Sequence, residues 1–199
     1  TIKNIIGQKV KMSLLLAQYE QNRHRYLDTD KEYPAHGYIS RFYTFEFEKY
    51  KNRQINLLEI GCASGGSLLL WSDYFNNAII YGVDTGQDGR FKKCLSSTAG
   101  NNRIRLYQAS GYNPDLVNAL PNFDIIIDDG PHTKESHLQF LDLYVPKLNR
   151  GGVLIIEDVE DINYGKEYCQ KLTPDFQYAT LDINTKKEYN SILFVARKL

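Results

Sequence analysis

The stretch INLLEIGCASGG, from Ile55 to Gly66, decides the architecture. Six strand-forming, mostly apolar residues run without a break into a turn of small residues. The following SLLLWSDYF, Ser67 to Phe75, has the apolar and polar spacing of a helix. This is a strand, a glycine turn and a helix. Glycine after a central strand lets the backbone turn sharply and lets a ligand approach without striking a Cβ. Gly61, Ala63 and Gly66 also satisfy a loosened GxGxxG spacing, so the loop alone leaves a nicotinamide-dependent oxidoreductase open.

The alternation continues on both sides. A second strand, Ala78 to Val83, ends in Asp84. A helical stretch from about Asp88 stops at Gly100, and a third strand covers Ile104 to Gln108. Phe123 to Asp128 reads as a fourth strand, followed by a helix across His137 to Tyr144. Pro146 to Gly152 then turns into VLIIED, Val153 to Asp158. Apolar runs such as DIIID and VLII suit a parallel sheet covered on both faces. The tail, Gln177 to Ile183 and Ser191 to Ala196 joined by NTKKEYN, reads as a hairpin. Upstream, residues 9 to 21 form an amphipathic helix, with Val10, Leu14 and Leu15 apolar. A polar interruption spans Asn22 to His36, and Ile39 to Lys51 resumes helical spacing.

The 199 residues fit one domain, residues 1 to 199, in which 1 to 54 are expected to form a helical segment ahead of the first strand that covers the site at the strand ends, as the resemblance given below implies. Hydrophobic residues at 42% and charged residues at 24% allow a packed core with a polar surface. Basic and acidic residues balance at 24 each, so no global field recruits nucleic acid or an anionic membrane. Cys62, Cys94 and Cys169 are too few and too scattered for a disulfide framework or a close-spaced zinc site. No apolar run is long enough to span a bilayer and no signal peptide opens the chain, so an intracellular, cytoplasmic setting is expected. The chain opens on Thr1, which suggests excision from a longer protein with further domains. Many of the 15 Tyr and 9 Phe cluster between Tyr19 and Tyr50. Packing under a lid or N-terminal helix is the expected role for most, with a cleft wall as the alternative for a few.

Ionisable residues collect at strand ends. Asp84 ends the second strand, where a carboxylate can accept hydrogen bonds from two vicinal hydroxyls; a turn or cap role is its structural alternative. Asp128, Asp129 and His132 follow one strand, and Glu157 with Asp158 follow the next. If these strands are neighbours, the groups meet on one rim, where a divalent cation would offset the repulsion among carboxylates. Each also has a plain alternative, as a cap, a loop histidine or a solvated strand exit.

Glu59, Gly61, Ala63 and Gly65 resemble the first motif of the class I S-adenosylmethionine (SAM) dependent methyltransferases, an acidic residue and a Gly-x-Gly-x-Gly run, with Ala63 at the middle glycine. The resemblance implies a loop along the amino acid portion of SAM and Asp84 at the ribose. Gln108 or Ser110 would lie on the adenine side. It also implies a seven-stranded sheet of order 3-2-1-4-5-7-6 with strand 7 antiparallel.

Asp128-Asp129-Gly130-Pro131-His132 and Gly151-Gly152-Val153-Leu154-Ile155-Ile156-Glu157-Asp158 resemble the metal-dependent sugar O-methyltransferases, notably those of macrolide deoxysugars. Pro131 replaces the usual serine. Upstream, Asp28-Thr29-Asp30-Lys31 and His36-Gly37-Tyr38 resemble a further family segment that folds over the active site, with its leading glycine lost. The resemblance implies that Asp129, Glu157 and Asp158 bind magnesium or a similar cation, and that His132 is the general base. Lys31 or Asp30 would then contact cofactor or acceptor. The acceptor would be the hydroxyl of a sugar or glycan. A catechol-type O-methyltransferase and a non-catalytic glycan-binding domain are the alternatives.

Overall fold

A computed structural model of the chain describes residues 13–26, 28–33, 36–183 and 191–199. Seven strands form one sheet: β1 (Ile55–Ile60), β2 (Ala78–Asp84), β3 (Ile104–Gln108), β4 (Phe123–Asp128), β5 (Leu148–Ile156), β6 (Phe176–Asp182) and β7 (Ile192–Lys198). Their order is β3-β2-β1-β4-β5-β7-β6. The pairs among β1 to β5 are parallel, and β7 is antiparallel to both β5 and β6. The expected sheet is therefore the observed one.

Its central strands are apolar at consecutive positions because both faces are covered. Leu57, Ile125, Ile127, Val153, Ile155 and Val195 face one core. Leu58, Ile60, Ile126, Leu154, Ile156 and Phe194 face the other. The first core is closed by α1 (Leu14–Gln21), α2 (Thr44–Phe47), α3 (Gly66–Tyr74) and α4 (Phe91–Ser97). The second is closed by α5 (Pro114–Ala119), α6 (Lys134–Tyr144) and α7 (Gly165–Tyr168).

Several boundaries differ from the sequence reading for identifiable reasons. α1 begins at Leu14 because the Ser13 hydroxyl caps it by accepting from the Leu16 N–H; the proposed first turn, with Val10, lies outside the described residues. α4 is shorter than Asp88 to Gly100, since Asp88 and Arg90 form a local turn before it. Pro146 to Gly152 is not only a turn: β5 starts at Leu148, which pairs with Phe123 before a register shift. The short α5 has no apolar periodicity to announce it. Asn113 caps it and Pro114 occupies its first turn. α6 reaches back to Lys134, capped by Thr133. NTKKEYN lies outside the described residues, but the strands it joins do pair as a hairpin.

The aromatic cluster is chiefly core. Tyr26, Tyr38, Tyr43, Phe47 and Tyr50 are buried, and Tyr43 and Phe47 pack edge-on against Trp71. Each fully buried ring contributes roughly 1.5–3 kcal/mol of transfer free energy, enough to fasten the N-terminal segment to the sheet domain. Ile39–Tyr43 is a turn of π-helix leading into α2, a local widening often found where side chains must be re-aimed.

Candidate active site

The parallel strands end on one side of the sheet, where the loops after β1, β2, β3 and β4 enclose a cleft of about 480 Å³, within the range of small-molecule sites. Gly61, Cys62 and Ala63 from the glycine loop, Asp84, Ser110 to Tyr112, and Asp129 to His132 line it. Asp28, Thr29 and Asp30 of the upstream segment line it too.

Gly61 makes the approach of two loops possible. It has φ +83°, and a Cβ there would lie 1.8 Å from the Asp129 carbonyl oxygen. Ala63 adopts φ 43° and donates its N–H to Asp84 Oδ2 at 2.9 Å. Gly86 N–H donates to Asp84 Oδ1 at 2.7 Å. Asp84 thus does fasten the turn, as its structural alternative foresaw, while its side chain also remains on the cleft wall. Gly65, φ +84°, starts α3 behind the lining, against Cys94. The Gln108 side chain lies beside Gly86; Ala109, Ser110 and Gly111 supply the lining at that strand end.

Glu59 lies beneath the loop rather than on its surface. Fully buried, it accepts from Trp71 Nε1 at 2.7 Å, and its other oxygen is 3.2 Å from Lys31 Nζ. Lys31 is buried as well and does not line the cleft. Its ammonium donates to Asp129 Oδ2 at 2.8 Å and to both oxygens of Glu157, at 3.0 and 2.9 Å. Burial opposes its charge, but Asp129, Glu157 and Glu59 outweigh that and hold its pKa well above the ordinary lysine value.

Asp129, His132 and Asp158 converge on the cleft rim, with ligand atoms within 4.8 Å of one another. His132 Nε2 is 3.7 Å from Asp129 Oδ1 and 4.0 Å from Asp158 Oδ2. Glu157 stands behind them, 1% exposed, taking a hydrogen bond from the Tyr43 hydroxyl in addition to those from Lys31. Tyr38 donates to Asp158 Oδ1, and His36 Nδ1 is 3.6 Å from the same oxygen. The expected residues do lie together, with Asp129, His132 and Asp158 half-buried at the rim and Glu157 enclosed behind them. Asp128 stays apart: it is buried, and the Tyr112 hydroxyl donates to it at 2.6 Å.

The electrostatics favour a further cation. Three carboxylates, Glu59, Asp129 and Glu157, share the single ammonium of Lys31, and a fourth, Asp158, stands beside Asp129 without reaching it. Burial raises Glu157 to about 7 against the pull of Lys31, and burial with the neighbouring Glu157 pushes Asp129 well above the carboxylate range. Such shifts mark anionic charge that lacks compensation. Oxygen donors beside an imidazole, on a solvent-reachable rim, suit a hard divalent ion. Burial lowers the pKa of His132, which keeps its imidazole neutral and able to accept a proton.

Asp28, Ala63, His132 and Asp158 are the non-glycine residues with positive φ among those described. All belong to this cleft or its rim, where backbone strain commonly collects at functional sites.

Residues 58–159 match a family model described as a methyltransferase domain. The chain belongs to that methyltransferase family. A tetracenomycin rhamnosyl 2'-O-methyltransferase from Streptomyces olivaceus is 30% identical over 129 residues, 59% of this chain and 32% of that protein. Demethylmacrocin O-methyltransferase of Streptomyces fradiae is 31% identical over 59% of this chain and 30% of its own. This methyltransferase chain thus spans about a third of the length of the curated relatives it matches. Among solved structures, the mycinamycin-pathway methyltransferase MycE in complex with Mg, S-adenosylhomocysteine (SAH) and mycinamycin VI shares the fold. Its TM-score is 0.68 at 22% identity, covering 92% of this chain and 54% of that one. No helix among the described residues is long and apolar enough to cross a membrane.

Tyr38, Tyr43 and Tyr112 were not singled out as site residues by sequence. Tyr38 stood inside the quoted His36-Gly37-Tyr38 motif and was within reach of the reading. Tyr43 carried only helical aromatic spacing, and Tyr112 no signal at all.

Proposed function

We propose that this methyltransferase domain transfers a methyl group from SAM to a hydroxyl of a sugar or glycan, assisted by a divalent cation. The observation that carries the reading is the convergence of Asp129, His132 and Asp158 on the rim of the cleft lined by the glycine loop and Asp84. The sugar O-methyltransferases that the chain resembles in sequence support the acceptor class.

Gly61 and Ala63 would border the amino acid portion of the cofactor. Asp84, with each oxygen already accepting one N–H, keeps lone pairs for the ribose hydroxyls. Asp129 and Asp158 would hold the cation. Glu157 joins them only by sharing an oxygen with Lys31, which the two lone pairs of each oxygen permit. Bound SAM supplies an activated methyl group, and a bound divalent ion lowers the pKa of a neighbouring hydroxyl. The chain's own tasks are then alignment and proton removal. His132 is the base, and its neutral imidazole takes the acceptor proton at Nε2, the nitrogen that faces the two carboxylates.

Labelled SAM offered with a panel of glycosides and catechols tests this reading. Glycosides should be methylated, chelation should abolish turnover, and magnesium should restore it. Methylation of catechols alone would move the assignment to the catechol-type enzymes, and full metal-free activity would remove the cation. His132→Ala should keep SAH binding while single-turnover transfer falls by about 10²–10⁴-fold.

A further inference from the structure

No lysine or arginine other than Lys31 is buried among the described residues. It occupies a special place in the chain. The three residues before it, Asp28, Thr29 and Asp30, line the cofactor cleft, and its own side chain leaves that wall to reach Glu59, Asp129 and Glu157. The strap 28–30 has few other anchors. Thr29 N–H donates to the Tyr26 carbonyl at 3.3 Å, and Tyr33 N–H to the Asp30 carbonyl at 2.6 Å. Asp28 pairs with Lys93, but both side chains are about half exposed, and such surface pairs hold weakly. Asp28 also carries a left-handed φ of 66°, which the strap must be held into. The Thr29 hydroxyl is buried without a partner among the described residues, as expected of a group awaiting a ligand.

We propose that Lys31 is a positioning residue that fastens the cleft-lining strap 28–30 to the acidic seat, so that cofactor affinity depends on a lysine that does not line the cleft. The inference rests on the reading of the cleft as a SAM site. Breaking a buried ion pair from one side leaves uncompensated charge and loosens what the pair held, whereas the donors that touch the cofactor would be unchanged. The Lys31 ammonium also places its charge against both oxygens of Glu157 and one of Asp129, so it repels a divalent ion that shares those carboxylates. Its loss therefore acts in opposite directions on the two ligands.

The test is calorimetric titration of SAH into chelator-treated protein, with a separate titration of Mn²⁺, for the wild type and Lys31→Met. SAH affinity should fall at least about tenfold, while Mn²⁺ affinity stays level or rises. SAH should also protect the strap from proteolysis in the wild type and not in the variant. If Lys31→Met does not fold, the double variant Lys31→Met/Glu157→Gln removes buried charges of both signs together, and it should show the same loss of SAH affinity. SAH affinity within twofold of wild type in either folded protein overturns the proposal. In Lys31→Met a parallel fall in both affinities also overturns it, since that is what general loosening would produce; the double variant, which lacks the Glu157 carboxylate, is read by SAH affinity alone. A wild type that binds no SAH instead removes the SAM reading itself.

Discussion

The two halves of the site are built from different materials. Beyond β1 and β2 the cleft is made of backbone: a left-handed glycine loop, two N–H groups on Asp84 and small side chains. Beyond β4 and β5 it is made of side chains, with carboxylates held by Lys31, Tyr38 and Tyr43 from a segment about a hundred residues away in the chain. A backbone-built half is specified by its own short sequence. A half built from side chains needs a distant segment to set its charge and orientation.

The largest expected effect comes where the halves touch. Gly61→Ala forces a Cβ against the Asp129 carbonyl and a left-handed φ on alanine, which should cost about 4 kcal/mol of stability. SAH and Mn²⁺ affinity should fall together in whatever folds. Thermal unfolding with native-like stability would show that the halves are not in contact. Next, Asp158→Asn removes one of the carboxylates proposed to hold the cation at the rim. Methyl transfer should fall by roughly 10²–10³-fold, about 3–4 kcal/mol, with SAH affinity within threefold. An equal loss of SAH binding would abolish the distinction between the halves.

A third experiment separates titration of the fold from titration of the site. His137 is buried in α6 with its Nδ1 2.8 Å from the Tyr168 hydroxyl, and burial lowers its pKa from 6.5 to about 4. The folded state therefore keeps the neutral form while the unfolded chain binds a proton first. The stability it preserves is full above about pH 6.5 and is lost as the pH falls to about 4, by about 3 kcal/mol. Chemical denaturation at pH 7 and pH 4 should show that loss in the wild type relative to His137→Gln; parallel curves would rule it out. The smallest effect belongs to the backbone-built half. Asp84→Ala should weaken SAH binding by about 10–100-fold, near 2 kcal/mol, and leave Mn²⁺ affinity unchanged. Calorimetry decides it, and wild-type SAH affinity would detach Asp84 from the cofactor.

The sheet was legible because its central strands carry apolar residues at consecutive positions and are separated by turns, a pattern that parallel strands buried on two faces require. Short helices such as α5 were not, since six residues carry a cap but no period. In the site, Gly61, Ala63 and Asp84 could be placed from spacing alone, because the turn they form is closed within β1, β2 and their loops. Spacing places His137 on a helix, and the tertiary structure adds that it is wholly buried against Tyr168.

By itself, then, the sequence determined the strands and their succession along the chain, the glycine turn and the clustering of acids at two strand ends, because these follow from local backbone preference and the period of apolar residues, while the order of the strands in the sheet was implied by the family resemblance. Only the tertiary structure decided how those acids divide. Lys31, expected at the cofactor or the acceptor, turns inward to Glu59, Asp129 and Glu157, while Asp129 and Asp158 meet His132 on the open rim. The physical reason is that a buried ammonium must find carboxylates wherever the fold offers them, and which ones it finds is a matter of distance in space rather than in sequence.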